Sequence, residues 1–159
     1  MRLLLAICTF FCAISLPAQN YYHFVGTYTT GKSMGIYVFQ FNSKNGEVMW
    51  VSNTDSCTNP SFLAVSPNGK YLYAANETGR DQPGHISAFS FDKTEGKLSF
   101  INQQLSGGDD PCFVTVDQSG KWVVAANYSG GNLSSFPVNK DGSLAPYSQL
   151  IQHKGSSAN

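Results

Sequence analysis

The stretch Pro60–Asn76, PSFLAVSPNGKYLYAAN, decides the fold because the chain contains it twice. Its second copy, Pro111–Asn127 with the sequence PCFVTVDQSGKWVVAAN, follows after about 50 residues, a spacing typical of solenoids and propellers. The positions that carry the same residue in both copies are Pro60 and Pro111, Phe62 and Phe113, Val65 and Val116, Gly69 and Gly120, Lys70 and Lys121, Ala74 and Ala125, Ala75 and Ala126, and Asn76 and Asn127. The repeated unit therefore defines the architecture.

Each copy consists of an apolar run, a polar turn that ends in glycine, and a second apolar run. This order predicts a β-hairpin. Pro67 suits the second position of the turn, and Gly69 and Gly120 supply a residue with left-handed backbone.

The repeat extends beyond the hairpin. Ile86–Leu98 (ISAFSFDKTEGKL) resembles Ile36–Val48 (IYVFQFNSKNGEV) upstream and Leu133–Leu144 (LSSFPVNKDGSL) downstream. Bulky apolar residues alternate in all three, as in a strand with one buried face. A polar loop closing on Gly46, Gly96 or Gly142 follows, and then a further strand, predicted at Val48–Asn53, Leu98–Leu105 and Leu144–Gln152. One unit thus holds four strands.

Four short antiparallel strands in about 40–50 residues form the blade of a β-propeller. No long segment has the helical i, i+3, i+4 pattern, so the chain is predicted to be all-β. A β-sandwich is the alternative, although it does not require internal repetition. Pro137 lies inside a predicted third strand and has no N–H to donate, so its nitrogen faces outward or a bulge lies there.

The blades can be counted from these matches. Tyr21–Thr27 aligns with Tyr71–Glu77, a second strand, and GSSAN at the end of the chain resembles the residues before Pro60. We therefore predict that residues 19–159 hold strands two to four of one blade, two complete blades and the start of a fourth. This amounts to an N-terminal fragment of about two and three-quarter blades of a longer propeller.

Met1–Ala18 resembles a secretory signal peptide. Arg2 precedes the apolar run Leu3–Leu16, and Pro17-Ala18 offers a small residue for cleavage. The run is short for a membrane span, and a buried first strand is the alternative. We predict an exported protein, periplasmic or secreted, with no membrane anchor after cleavage.

Charge and cysteine content narrow the classes of partner. Ten basic and ten acidic residues balance, which gives no reason to expect binding to nucleic acid or to an anionic membrane.

Cys57 and Cys112 both lie near a proline that opens a repeat, so they form either a disulfide or two unpaired thiols. No metal-ligand spacing, phosphate loop or nucleophile elbow occurs, and we predict neither a metal nor a cofactor.

Candidate site residues follow from the topology of a propeller, in which the loops after second strands and the loops between blades share one face. Asn76-Glu77 and Asn127-Tyr128 end the second strands there, although asparagine in this place also caps strands. His153 is a further candidate, as an acid, a base or an anion ligand. Arg80 and Asp81 are interpreted as a surface ion pair, and Asp109-Asp110 as a turn rather than a cation site.

Several motifs together resemble the lactonase family of seven-bladed β-propellers. They are VGTYT (Val25–Thr29), GIYVFQFN…GEV (Gly35–Val48), NPSFLAVSPNGKYLYAANE (Asn59–Glu77), ANYSGGNLSSFPV (Ala126–Val138), DGSL (Asp141–Leu144) and HKGSSAN (His153–Asn159). The best-known activity of this family is 6-phosphogluconolactonase.

The resemblance implies hydrolysis of a sugar lactone without a metal, in which a general base and cationic groups help water to attack the ring carbonyl. It places the catalytic residues C-terminal to Asn159. Asn76, Glu77, Asn127, Tyr128 and His153 carry over as substrate-binding candidates. An exported member could act on another lactone, and a non-catalytic binding propeller of the cell surface or periplasm is the alternative function.

Overall fold

The computed structural model describes residues 20–79 and 82–155, whose regular structure is entirely β. The first sheet contains β1 (Asn20–Gly26), β2 (Ile36–Asn42) and β3 (Val48–Thr54). The second contains β4 (Pro60–Val65), β5 (Tyr71–Asn76), β6 (His85–Asp92) and β7 (Lys97–Leu105). The third contains β8 (Pro111–Val116), β9 (Trp122–Asn127), β10 (Asn132–Pro137) and β11 (Gln149–Gln152). Within each sheet, antiparallel strands lie side by side in chain order.

The duplicated stretch forms the two predicted hairpins in the same register. Leu63 of β4 faces Ala74 of β5, and Val114 of β8 faces Ala125 of β9. Gly69 and Gly120 have φ angles of 67° and 69°, in the left-handed region that favours glycine. The same turn chemistry therefore closes both copies.

Neighbouring sheets pack face to face, and the second strands bury both small and large side chains between them. One cluster joins the second and third sheets and consists of Tyr73, Ala75, Ile86, Ala88, Val114, Val123, Ala125, Phe136 and Leu144. A second cluster, consisting of Ile36, Cys57, Leu72, Ala74 and Phe89, joins the first and second sheets. Stability thus depends on contacts between sheets, as in other repeat proteins.

The alignment of the first blade is wrong by one residue. Gly26 of β1 faces Ile36, whereas Ala75 of β5 faces the corresponding Ile86. Tyr22, not Tyr21, is therefore the counterpart of Tyr71. Both hydroxyls donate to a carbonyl in the next sheet: Tyr22 to Lys93 (3.0 Å) and Tyr71 to Lys140 (3.3 Å). Counting on from this pair makes Tyr28 the counterpart of Glu77.

The predicted strand Leu144–Gln152 is also too long, because β11 covers only Gln149–Gln152. Leu144 forms an isolated bridge with Val138, and the chain then bulges away from β10. Pro137, the last residue of β10, accepts a hydrogen bond from Ala145 N at 2.9 Å, so its nitrogen faces this bulge. The proline thus interrupts the ladder as predicted and shortens the neighbouring strand.

Cys57 and Cys112 are both unpaired. Burial raises the pKa of the Cys57 thiol to about 11, so this group is protonated and unreactive at neutral pH.

Some predictions fall outside the described residues: the signal peptide at Met1–Ala18, the pair Arg80 and Asp81, and the end of the chain after Gly155. The predicted export of the protein thus stays a prediction. In the described part of the chain, no helix has the length and hydropathy needed to cross a membrane.

Candidate functional site

Second strands β5 and β9 end in asparagines whose side chains are buried. Asn76 donates from Nδ2 to the carbonyl of Thr58 (2.7 Å) and accepts at Oδ1 from Ser87 Oγ (2.6 Å). Asn127 donates from Nδ2 to the carbonyl of Ser106 (3.1 Å) and to Asn132 Oδ1 (2.7 Å). Both amides tie the end of a strand to the loop that enters their sheet, which is the capping role weighed for these residues.

We expect Asn76→Ala and Asn127→Ala each to lower the free energy of unfolding by about 1–3 kcal/mol, because each leaves a buried polar partner unpaired. Chemical denaturation of the full-length protein measures the change. The control is Asn53→Ala, at an exposed position in β3. Unfolding midpoints equal to that of the control would contradict the structural role.

Directly after these asparagines, the equivalent positions carry unlike side chains, Glu77 after β5 and Tyr128 after β9. We call Tyr28, Glu77 and Tyr128, which follow β1, β5 and β9, the mouth. Glu77 is half-buried, and its backbone N–H donates to the carbonyl of Asn59 (3.0 Å). Tyr128 is 81% exposed, and its N–H donates to the carbonyl of Asp110 (2.9 Å). Equivalent backbone bonds thus present unlike side chains in neighbouring sheets.

Tyr28 is the residue that sequence reasoning missed. Its hydroxyl donates to Glu77 Oε2 at 2.9 Å, across the junction of the first and second sheets. This hydrogen bond, and then partial burial and the negative charges of Glu77 and Asp110, raise the pKa of Tyr28. The phenol therefore stays protonated, as a hydrogen-bond donor, through and beyond neutral pH.

His153 lies apart from the mouth. It is exposed and follows β11, the outer strand of the third sheet, whereas Tyr128 follows β9. Two strand spacings separate these positions, which is about 10 Å. The structure thus places Glu77 in contact with Tyr28, whereas His153 lies at the outer edge of the third sheet.

Asp109 and Asp110 form part of the turn between β7 and β8. The carbonyl of Asp109 accepts from Gly130 N (3.2 Å), and the Asp110 carboxylate accepts from Ser129 Oγ. Among the described residues, no group of three or more His, Cys, Asp or Glu side chains is placed to hold a metal ion.

A cleft of about 710 Å³ lies at the opposite edge of the sheets. Its lining includes the turn residues Ser66 and Asn68, which bond to each other at 2.8 Å. These groups already serve the turn. We therefore place the candidate site at the mouth, where carboxylate and phenol groups are presented without such a role.

The family described as "Lactonase, 7-bladed beta-propeller" matches residues 22–159. The chain belongs to this family. The predicted family and the predicted all-β propeller fold are thereby confirmed, and the three sheets correspond to successive blades.

Several proteins of this family resemble the chain in detail. A Formosa agariphila protein named 6-phosphogluconolactonase is 42% identical over 84% of this chain and 38% of its own length. A Bacillus subtilis protein of the same name is 38% identical over 86% of this chain and 38% of its own length. The structure of a periplasmic gluconolactonase from Pseudomonas aeruginosa superposes with a TM-score of 0.78, at 35% identity over 85% of this chain and 39% of that one. The chain thus spans well under half the length of these relatives.

Proposed function

We propose that the protein hydrolyses a sugar lactone that binds at the mouth. The observation that carries this proposal is the 42% identity, over most of the chain, to a relative named 6-phosphogluconolactonase. The mouth supports it, because a carboxylate and two phenols are suitable partners for the hydroxyl groups of a sugar ring.

In the proposed reaction, water attacks the carbonyl carbon of the lactone and gives a proton to a general base. The bond between that carbon and the ring oxygen then breaks, and the ring oxygen takes up a proton, so the product is a hydroxy acid. We assign the residues of the mouth to substrate binding. The base and the cationic groups are predicted to lie C-terminal to Asn159.

Glu77 accepts a hydrogen bond from a sugar hydroxyl in this proposal, and Tyr128, whose ring can also stack on the sugar, donates one from its own hydroxyl, which is the contact that Tyr128→Phe removes. We expect Glu77→Gln and Tyr128→Phe each to lower kcat/KM about ten- to a hundredfold, which corresponds to a loss of roughly 1–3 kcal/mol of transition-state stabilisation. Acid release by the full-length protein is measured by pH-stat at several concentrations of gluconolactone and of its 6-phosphate, and it gives kcat and KM.

The control variant is Tyr147→Phe, which removes an exposed phenol hydroxyl beside β11, and circular dichroism monitors folding of each variant. Turnover at the unmutated rate in both mouth variants would remove these residues from the site. Absence of turnover on every lactone by the unmutated protein would favour a binding propeller instead.

A further inference from the structure

The contact between Tyr28 and Glu77 joins two blades at the mouth. Tyr28 follows β1 of the first sheet and Glu77 follows β5 of the second, and the phenol donates to one carboxylate oxygen of Glu77, Oε2. A glutamate side chain has three rotatable bonds and costs conformational entropy to fix in one orientation. A hydrogen bond from a tyrosine, which has only two such bonds, limits that motion before substrate arrives.

One residue fixes the backbone on both sides of this pair. Asn59 precedes β4 and has a φ of 42°, in the left-handed region that asparagine tolerates. Its Oδ1 accepts from Thr29 N (2.8 Å) and from Thr29 Oγ1 (3.0 Å), next to Tyr28. Its Nδ2 donates to the carbonyl of Glu77 (2.9 Å), and its own carbonyl accepts from Glu77 N (3.0 Å).

The next repeat carries a different group at this position. Asp110 also has a left-handed backbone, with a φ of 52°, and its carbonyl accepts from Tyr128 N at 2.9 Å. An aspartate side chain has no N–H to offer to the carbonyl of Tyr128. The bonds that Asn59 makes to Thr29 and to Glu77 therefore require a side-chain amide. Of the two loops that precede β4 and β8, only the first has an amide at this position, and it is the loop beside Tyr28 and Glu77.

We propose that Asn59 and Tyr28 are positioning residues: Asn59 fixes the backbone of Glu77, and Tyr28 holds one of its carboxylate oxygens, so that the other oxygen accepts a hydroxyl group of a polyhydroxy lactone. This inference rests on the proposed function, since it needs Glu77 to contact substrate. The carboxylate repels an anionic substituent, so the hydroxyl-bearing edge of the sugar, not a phosphate, faces Glu77.

The test uses Tyr28→Phe and Asn59→Asp in the full-length protein. Tyr28→Phe removes only the hydroxyl, and Asn59→Asp keeps the shape and the tolerated backbone but removes the donor to Glu77. We expect each to raise KM for gluconolactone about three- to tenfold with kcat within about twofold, because ground-state and transition-state binding weaken together. The controls are Tyr147→Phe and Asn53→Asp, at exposed positions outside the mouth.

A double-mutant cycle shows whether Tyr28 acts through Glu77. In a Glu77→Gln background, Tyr28→Phe should change KM by less than about twofold, because the carboxylate that it orients is gone. If Glu77→Gln weakens turnover but Tyr28→Phe and Asn59→Asp do not, the positioning role is wrong and the proposed function stands. If Glu77→Gln leaves turnover unchanged, the positioning role falls together with the assignment of Glu77 to substrate binding. If the unmutated protein hydrolyses no lactone, the proposed function falls as well.

A second measurement does not depend on turnover. The ultraviolet titration of the phenols, taken as the difference between unmutated and Tyr28→Phe proteins, follows Tyr28 alone. The same difference is then taken between Glu77→Gln and the double variant Glu77→Gln/Tyr28→Phe. Because the bond to Glu77 raises the pKa of Tyr28, this second curve should lie at lower pH than the first. If the two difference curves coincide, the inferred hydrogen bond between Tyr28 and Glu77 is wrong.

Discussion

Replacing Gly26 by alanine is expected to lower the free energy of unfolding by about 3 kcal/mol, since added volume in a close-packed junction displaces backbone. Gly26 ends β1, and a Cβ placed there would lie 1.9 Å from the carbonyl oxygen of Pro60, which opens β4 in the next sheet. The obstacle is backbone in a different blade, so relief requires the first two blades to separate. Thermal and chemical denaturation of the full-length protein measure the loss.

Gly31→Ala is the matched control for this substitution. A Cβ at Gly31 meets no atom within 4 Å, and both changes add the same methyl group. We expect its unfolding midpoint to equal that of the unmutated protein. If Gly26→Ala and Gly31→Ala have the same unfolding midpoint, β1 does not approach β4 as closely as described.

The repeated segments carried most of the fold prediction. Pro60–Asn76 and Pro111–Asn127 contain turn glycines, alternating apolar residues and short alanine runs, and each feature has a local physical cause. The two complete sheets followed directly from these features. Their packing followed as well, because strands that are apolar on both faces require a sheet on each side.

Two details escaped prediction for local reasons. Tyr21 and Tyr22 are adjacent and identical, so residue type alone could not show which of them matches Tyr71. The pairing of Gly26 with Ile36 decides the register, and the hydrogen bond from Tyr22 to Lys93, which joins two residues far apart in sequence, agrees with it. In the third sheet, Pro137 shortens the ladder, and the effect falls on β11 rather than on its own strand.

The candidate site was harder to predict than the fold. The sequence makes Asn76 and Asn127 candidates because they recur at strand ends. Recurrence is also typical of a shared structural role, and the side-chain amides of both residues donate to carbonyls of the preceding loops. Residues that differ at equivalent positions are better candidates. Tyr28 differs from Glu77, its counterpart in the second blade, and only the corrected register shows that these two positions are equivalent.

The described chain on its own is expected to fail to form a stable monomer. In a seven-bladed ring every blade packs between two others, whereas the first and third sheets here each pack against one. Large apolar side chains are exposed as a result, among them Trp50 at 60%, Trp122 at 42% and Ile151 at 46%.

Residues 19–159 expressed alone should therefore bind a hydrophobic dye, elute as aggregates and unfold without a sharp transition. Size exclusion, dye fluorescence and calorimetry measure these properties, with the full-length protein as the control. A sharp, reversible transition of a monomer would contradict the expectation, and it would mean that two junctions between sheets suffice for stability. The second and third sheets share the larger core cluster, so any residual protection against hydrogen exchange should concentrate in β5, β6 and β9.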